Sequence, residues 1–140
     1  MIDRDRTLYY RAGYKYQTSR DYRIKTGIIP KLPVSTDFLQ LGLDGTLWIR
    51  KGYAWDGASG PTWDTNNSMI GSLVHDVFYQ LIRLGHVHER YKIAADRLLR
   101  DICVEDGMWQ IRANYWQWAV VKFGLGSTKP SHEPSELRAP

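Results

Sequence analysis

Four side chains whose types and spacing suit acid–base chemistry fall in one stretch, Ser72 to Arg100. His75 and Asp76 are adjacent, Tyr79 follows His75 by four residues, and Asp96 follows it by twenty-one. Around the first three, Ile70, Leu73, Val74, Val77, Phe78 and Leu81 keep helical spacing. On one helix His75 and Tyr79 project from the same face, and Asp76 lies about a hundred degrees away. A tight turn near Leu84–Val87 and an antiparallel second helix bring Asp96 back opposite His75. Asp96 then accepts from one ring nitrogen and fixes the tautomer, leaving the other to deprotonate a water beside Tyr79. Asp76, facing outward, is placed to hold a divalent cation through oxygen. The competing reading is a buried hydrogen-bonded pair that staples two helices. A histidine and an aspartate among apolar residues need partners whatever else they do.

A second candidate lies upstream, in the connector Trp55-Asp56-Gly57-Ala58-Ser59-Gly60-Pro61. Gly57 lets the backbone approach a ligand or adopt positive φ. Asp56 can complete an oxygen-rich cation site with Asp76, and Ser59 can donate to an oxyanion. The plainer reading is a rigid turn in which Asp56 makes an Asx-turn. His86 and His88 flank a turn two residues apart, and two exposed histidines without a third ligand read as solvated. Cys103 is the single cysteine, so neither an internal disulfide nor a cysteine metal cage can form; on an apolar helix it reads as a small core residue.

The elements that must position these residues follow from local pattern. Leu8/Tyr10, Tyr14/Tyr16 and Tyr22/Ile24 recur at strand spacing, and Pro30 and Pro33 make Ile28 to Asp37 a loop or an extended edge. Asp44-Gly45 between Phe38–Leu41 and Thr46–Ile49 predicts a hairpin. Lys51 to Thr65 has no regular period. A helix is expected from Asn67 to Leu84, capped by Thr65 or Asn66 and stopped by Gly85. A second is expected from His88 or Glu89 to before Gly107, and a third from Met108 to Phe123. The third has a core stripe of Trp109, Ala113, Trp116, Val120 and Phe123. A second apolar set, Ile111, Tyr115, Trp118 and Val121, lies off that stripe. The plain reading is a helix sandwiched between sheet and helices; the rival readings, a partner subunit or a lipid interface, make Trp118 a candidate binding residue. Strands first and helices afterwards predict an α+β fold, a small antiparallel sheet with a hairpin followed by three packed helices. It should fill residues 1–124 as one domain, with 125–140 an extended tail.

Composition narrows the function classes. A net charge of +4 spread along 140 residues weighs against nucleic acid as the partner. The charged N-terminus MIDRDRTLYYRAG lacks the apolar core of a secretion signal, so none is expected there, and no apolar run reaches transmembrane length. Six Trp and nine Tyr are the unusual feature.

The WDGASGP loop, Leu73-Val74-His75-Asp76 with Tyr79, Ala95-Asp96 and the Trp-rich last helix resemble a family of small proteins of unknown function. That family occurs in tailed bacteriophages and prophages, with a DGAS-P loop ahead of an L-x-HD-x-x-Y helix. The likeness runs from Ile28 to Gly124, and Gly60 stands where most members have a larger apolar residue. The resemblance implies a phage-encoded protein made in the host cytoplasm, acting in or beside the virion with other virion proteins; it implies no activity. The helix pair is also distantly similar to that of bacterial secreted phospholipases A2. That likeness implies His75 as water-activating base, Asp76 as calcium ligand and Asp96 as orienter, with a lipid or cell-wall ester or amide as substrate. The disulfides of those enzymes are missing, and Asp56-Gly57 would have to stand in for their calcium loop. Two function classes follow: a virion-associated accessory protein whose polar cluster only fixes the fold, and a hydrolase.

Overall fold

The computed structural model of the chain describes residues 1–13, 15–57 and 66–123. Among the described residues, seven short strands precede three helices, the α+β order expected. The strands are β1 (Tyr10–Arg11), β2 (Tyr16–Thr18), β3 (Tyr22–Lys25), β4 (Val34–Ser35), β5 (Leu39–Leu41), β6 (Thr46–Ile49) and β7 (Ala54–Trp55). The helices are α1 (Met69–Arg83), α2 (Lys92–Glu105) and α3 (Gln110–Phe123). All strand pairs are antiparallel and fall into two sheets, ordered β1-β2-β7 and β3-β6-β5-β4.

Alternation builds the four-stranded sheet. Tyr22 and Ile24, Leu39 and Leu41, and Leu47 and Ile49 face one way and are all buried. Arg23, Gln40 and Trp48 face the other, and Arg50 lies over the Trp48 ring. The β5–β6 hairpin turns where Asp44-Gly45 predicts. The Asp44 carboxylate accepts from the Thr46 backbone N–H at 2.9 Å, and Gly45 adopts a φ of 82° that favours glycine. Val34–Ser35 adds an edge strand next to Pro33, where a missing N–H costs nothing.

The inner face of that sheet shares one core with Leu73, Val74, Val77, Phe78 and Leu81 of α1. Helix α1 packs on α2, and α2 on α3. Gly71 lies against Leu99 and Cys103, while His75 meets Asp96 further along, so α1 and α2 run antiparallel. A second apolar cluster, with Leu99, Cys103, Met108, Ala113, Trp116 and Val120, joins α2 to α3. Cys103 is a fully buried part of it, as expected, and burial pushes its thiol up to about 12. The N-terminal segment is tied to the far end of α2: the buried Arg4 guanidinium pairs with Asp106 and lies 3.5 Å from Glu105.

Several boundaries differ from expectation. The connector is not wholly irregular, because Ala54–Trp55 pairs with β2. Helix α1 begins after Ser68 rather than Thr65 or Asn66, and the Ser68 side chain makes no capping bond; Thr65 lies outside the described residues. A 3-10 turn at Glu89–Tyr91 takes up the expected first turn of the second helix, with the His88 ring accepting from the Arg90 N–H. Helix α3 starts two residues later than Met108. Met108 is buried and Trp109 is 84% exposed, so Trp109 is not a core residue. Ala113, Trp116 and Val120 hold the predicted stripe. The Phe123 side chain and the proposed tail, 125–140, lie outside the described residues. Among the described residues, no helix is long and apolar enough to cross a membrane.

Candidate functional site

Helical geometry brings the predicted residues together. His75 and Tyr79, one turn apart on α1, present rings whose centroids are 3.9 Å apart. Both reach Asp96 on α2: His75 Nε2 lies 2.7 Å from Asp96 Oδ1, and the Tyr79 hydroxyl donates to the same oxygen at 2.6 Å. The other carboxylate oxygen accepts from Lys92 Nζ at 2.8 Å, one turn earlier on α2. Asp96 is 0% exposed and accepts three hydrogen bonds, while His75 is 4% exposed. The Val120 carbonyl of α3, 3.4 Å from the Tyr79 hydroxyl, brings the third helix to the same point.

Lys92 is the member that sequence reasoning missed. A lysine near the start of a helix normally extends into water, but here it is buried and also lies 5.5 Å from the centre of the Tyr79 ring. The available signal was its position four residues before a buried aspartate.

The charges set each other. Burial pulls the His75 pKa down, yet Asp76 and Asp96 outweigh it and hold the imidazole above the usual histidine range. Burial raises the Asp96 carboxyl, but hydrogen bonds from His75, Lys92 and Tyr79 carry it below the usual carboxylate range. Burial, together with the neighbouring Asp96 charge, pushes the Tyr79 phenol far above its ordinary value. Asp76 Oδ1 lies 3.8 Å from His75 Nδ1, an ion-pair distance too long for a direct hydrogen bond. The imidazole therefore has a carboxylate beside each nitrogen.

Asp76 opens on the other side to a cleft of about 320 Å³, lined also by Lys15, Tyr53, Asp56, Tyr79 and Arg83. Asp56 and Asp76 thus share one cleft, as the cation reading requires, and His75 is not among the residues that line it. Asp56 is largely exposed and its carboxylate lies 3.3 Å from Lys15 Nζ. Calcium takes six to eight oxygens. The described residues bring two carboxylates to the cleft, with a lysine ammonium on one of them. Among those residues, no group of three or more His, Cys, Asp or Glu is placed to hold a metal ion. Gly57 adopts a φ of 88°, the conformation its residue type allows; Ser59, with Gly60 and Pro61, lies outside the described residues. Two further bonds seat the β7 connector on α1: Trp55 Nε1 donates to Ser72 Oγ at 3.2 Å, and the Tyr53 hydroxyl donates to Gln80 at 2.6 Å.

Trp118 stands apart from this cluster. It is 52% exposed on α3, stacked on Tyr115 with ring centroids 5.9 Å apart, and Ile111 and Val121 are exposed near it. Comparison of the chain with models of protein families, with curated proteins and with solved structures finds no match.

Proposed function

We propose that this chain is a non-catalytic accessory or tail protein of a phage particle, in which the His75–Asp96–Lys92–Tyr79 cluster fixes the helix pair. The sealing of His75 carries this reading. A general base must reach the proton it removes and must have a free lone pair to take it. His75 is 4% exposed, its Nε2 is engaged by Asp96, its Nδ1 faces Asp76, and its pKa is raised. A histidine so placed is a staple between helices. The outward Tyr115 and Trp118 on α3 favour protein contact over free catalysis. The phage setting rests on the resemblance of the DGAS-P loop and the HD helix. It makes other virion proteins the expected partners and the host cytoplasm the place of synthesis. Mass spectrometry of purified particles, with the coding sequence intact and with it deleted, tests this. Peptides of the chain should be present only in the first set; a chain found solely in the lysate would overturn the virion assignment.

One observation favours a second reading, a calcium-assisted hydrolase of a lipid or cell-wall ester or amide. Asp56 and Asp76 line the same cleft as Tyr79. In that mechanism Asp76 and Asp56 would hold calcium, His75 would activate water and Asp96 would orient it. Calorimetric titration of calcium, paired with ester-hydrolysis assays of the parent chain and of His75→Asn, separates the two. The proposed function requires neither heat nor turnover. Calcium-dependent cleavage that vanishes in His75→Asn would replace it.

A further inference from the structure

A second cavity lies on a part of the surface to which the function above assigns nothing. It encloses about 190 Å³ between the loop that precedes β4 and the turn that joins α1 to α2. Lys31 comes from the first segment; His86, His88 and Arg90 come from the second. Among the described residues, no carboxylate lines it. Leu32 and Val87 give it apolar walls, Val87 being buried. From this convergence of cationic and N–H donor groups on an apolar-walled chamber, we propose that the cavity binds a small organic phosphate, with the phosphate at the basic rim and a compact apolar body against Leu32 and Val87.

The rim is held in place before any ligand arrives. The Tyr91 hydroxyl donates to the Ile29 carbonyl at 2.9 Å, joining two segments that are sixty-two residues apart. The Arg90 guanidinium donates to the Tyr91 hydroxyl at 3.1 Å and lies 5.0 Å from the ring centre, which leaves further N–H groups of its fork for a ligand. His88 Nδ1 accepts from the Arg90 backbone N–H at 3.0 Å, so the ring proton sits on Nε2, which donates. Fixed donors of this kind give charge-assisted bonds to phosphate oxygens without a large ordering cost. At the negative end of α1 the Leu81 and Ile82 carbonyls already accept from the backbone N–H groups of His86, Val87 and Gly85, which weakens the repulsion an anion meets there.

Charge also decides between an anion and a metal. Two histidines at a turn suggest zinc, but Lys31 and Arg90 beside them repel a cation, and among the described residues no third ligand joins them. Size sets the class. Pockets for drug-sized ligands run from about 300 to 1,000 Å³, so this one suits an aryl or short alkyl phosphate rather than a nucleotide.

Phenyl phosphate is the probe. Titrated into the isotope-labelled full chain and followed by amide chemical shifts, it should give saturable changes confined to Lys31–Leu32 and His86–Tyr91. The dissociation constant should be on the order of 1 mM. Inorganic phosphate should bind more weakly at the same residues, and phenol should not bind. In the Lys31→Gln/Arg90→Gln variant affinity should fall about tenfold or more, since two charge-assisted contacts are lost. Both side chains are exposed, so an otherwise unchanged spectrum will show that the variant folds. Three results would overturn the site: no saturation at tens of millimolar probe, unchanged affinity in the double variant, or zinc binding at His86 and His88 that phenyl phosphate does not disturb.

Discussion

Asp96→Ala is the sharpest test of the helix staple. The carboxylate is 0% exposed and accepts from His75, Tyr79 and Lys92 at 2.7, 2.6 and 2.8 Å. Removing it leaves the His75 imidazole and the Lys92 ammonium without their shared carboxylate in a nearly buried site, and a phenol without its nearest acceptor. Loss of one neutral buried partner costs about 1–3 kcal/mol. Stranding a buried charge costs about 3–5 kcal/mol, and here two charges are stranded. We therefore expect a loss near the upper end, about 4–5 kcal/mol, partly relieved if His75 gives up its proton. At roughly 0.05–0.15 kcal/mol per residue the whole chain holds about 7–20 kcal/mol, so the loss is large but survivable in most of that range. Asp96→Asn keeps the shape and one acceptor and should cost less. The informative comparison is His75→Leu/Lys92→Met/Asp96→Leu. Removing every charge that meets at Asp96 also removes the cost of drying them, so this triple variant should be more stable than Asp96→Ala alone. Urea unfolding followed by tryptophan fluorescence and by circular dichroism supplies the numbers. Asp96→Ala within about 1 kcal/mol of the parent would refute the staple, as would a triple variant that loses the sum of its single changes.

Three other outcomes follow from the same structure. Gly71→Ala puts a methyl group 2.7 Å from Cys103 Sγ and 3.2 Å from the Leu99 carbonyl. Its helix-propensity gain of about 1 kcal/mol should be outweighed by overpacking of about 1–3 kcal/mol, lowering the urea midpoint. Because the Asp96 pKa is lowered from 3.8, its contribution is present above that value and is lost as pH falls through the depressed folded pKa. Because the His75 pKa is raised from 6.5, its contribution is whole below that value and is lost as pH rises through the folded pKa. Stability measured against pH should therefore fall off on the alkaline side above 6.5 as well as in acid, and the alkaline fall should shrink in Asp96→Asn. Acrylamide should quench a fluorescence component that disappears in Trp118→Phe, since Trp118 is 52% exposed; an unquenched Trp118 would remove the α3 contact face.

What could be read beforehand depended on how local the determining contacts are. The β5–β6 hairpin was legible because Asp44-Gly45 carries its own turn geometry between two apolar runs. The His75–Asp96 contact was legible for a related reason: two helices joined by a short turn leave few registers, and spacing along each helix does the rest. Strand β7 was hidden, because two residues have no period and their partner β2 lies far back in the chain. Trp109 was misplaced by extending the α3 stripe one turn too far. The helix begins at Gln110, and Met108, ahead of it, fills the core position instead. Lys92 shows a different kind of gap. Propensity and amphipathicity treat a lysine as a surface residue, and only the arrival of Asp96 from one turn away, under Tyr79, makes its burial affordable. The catalytic and stapling readings of His75 were equally compatible with sequence because both demand the same partner on the second helix. They part on whether the imidazole reaches solvent or a cleft, which depends on how α1, α2 and the β7 connector close around it.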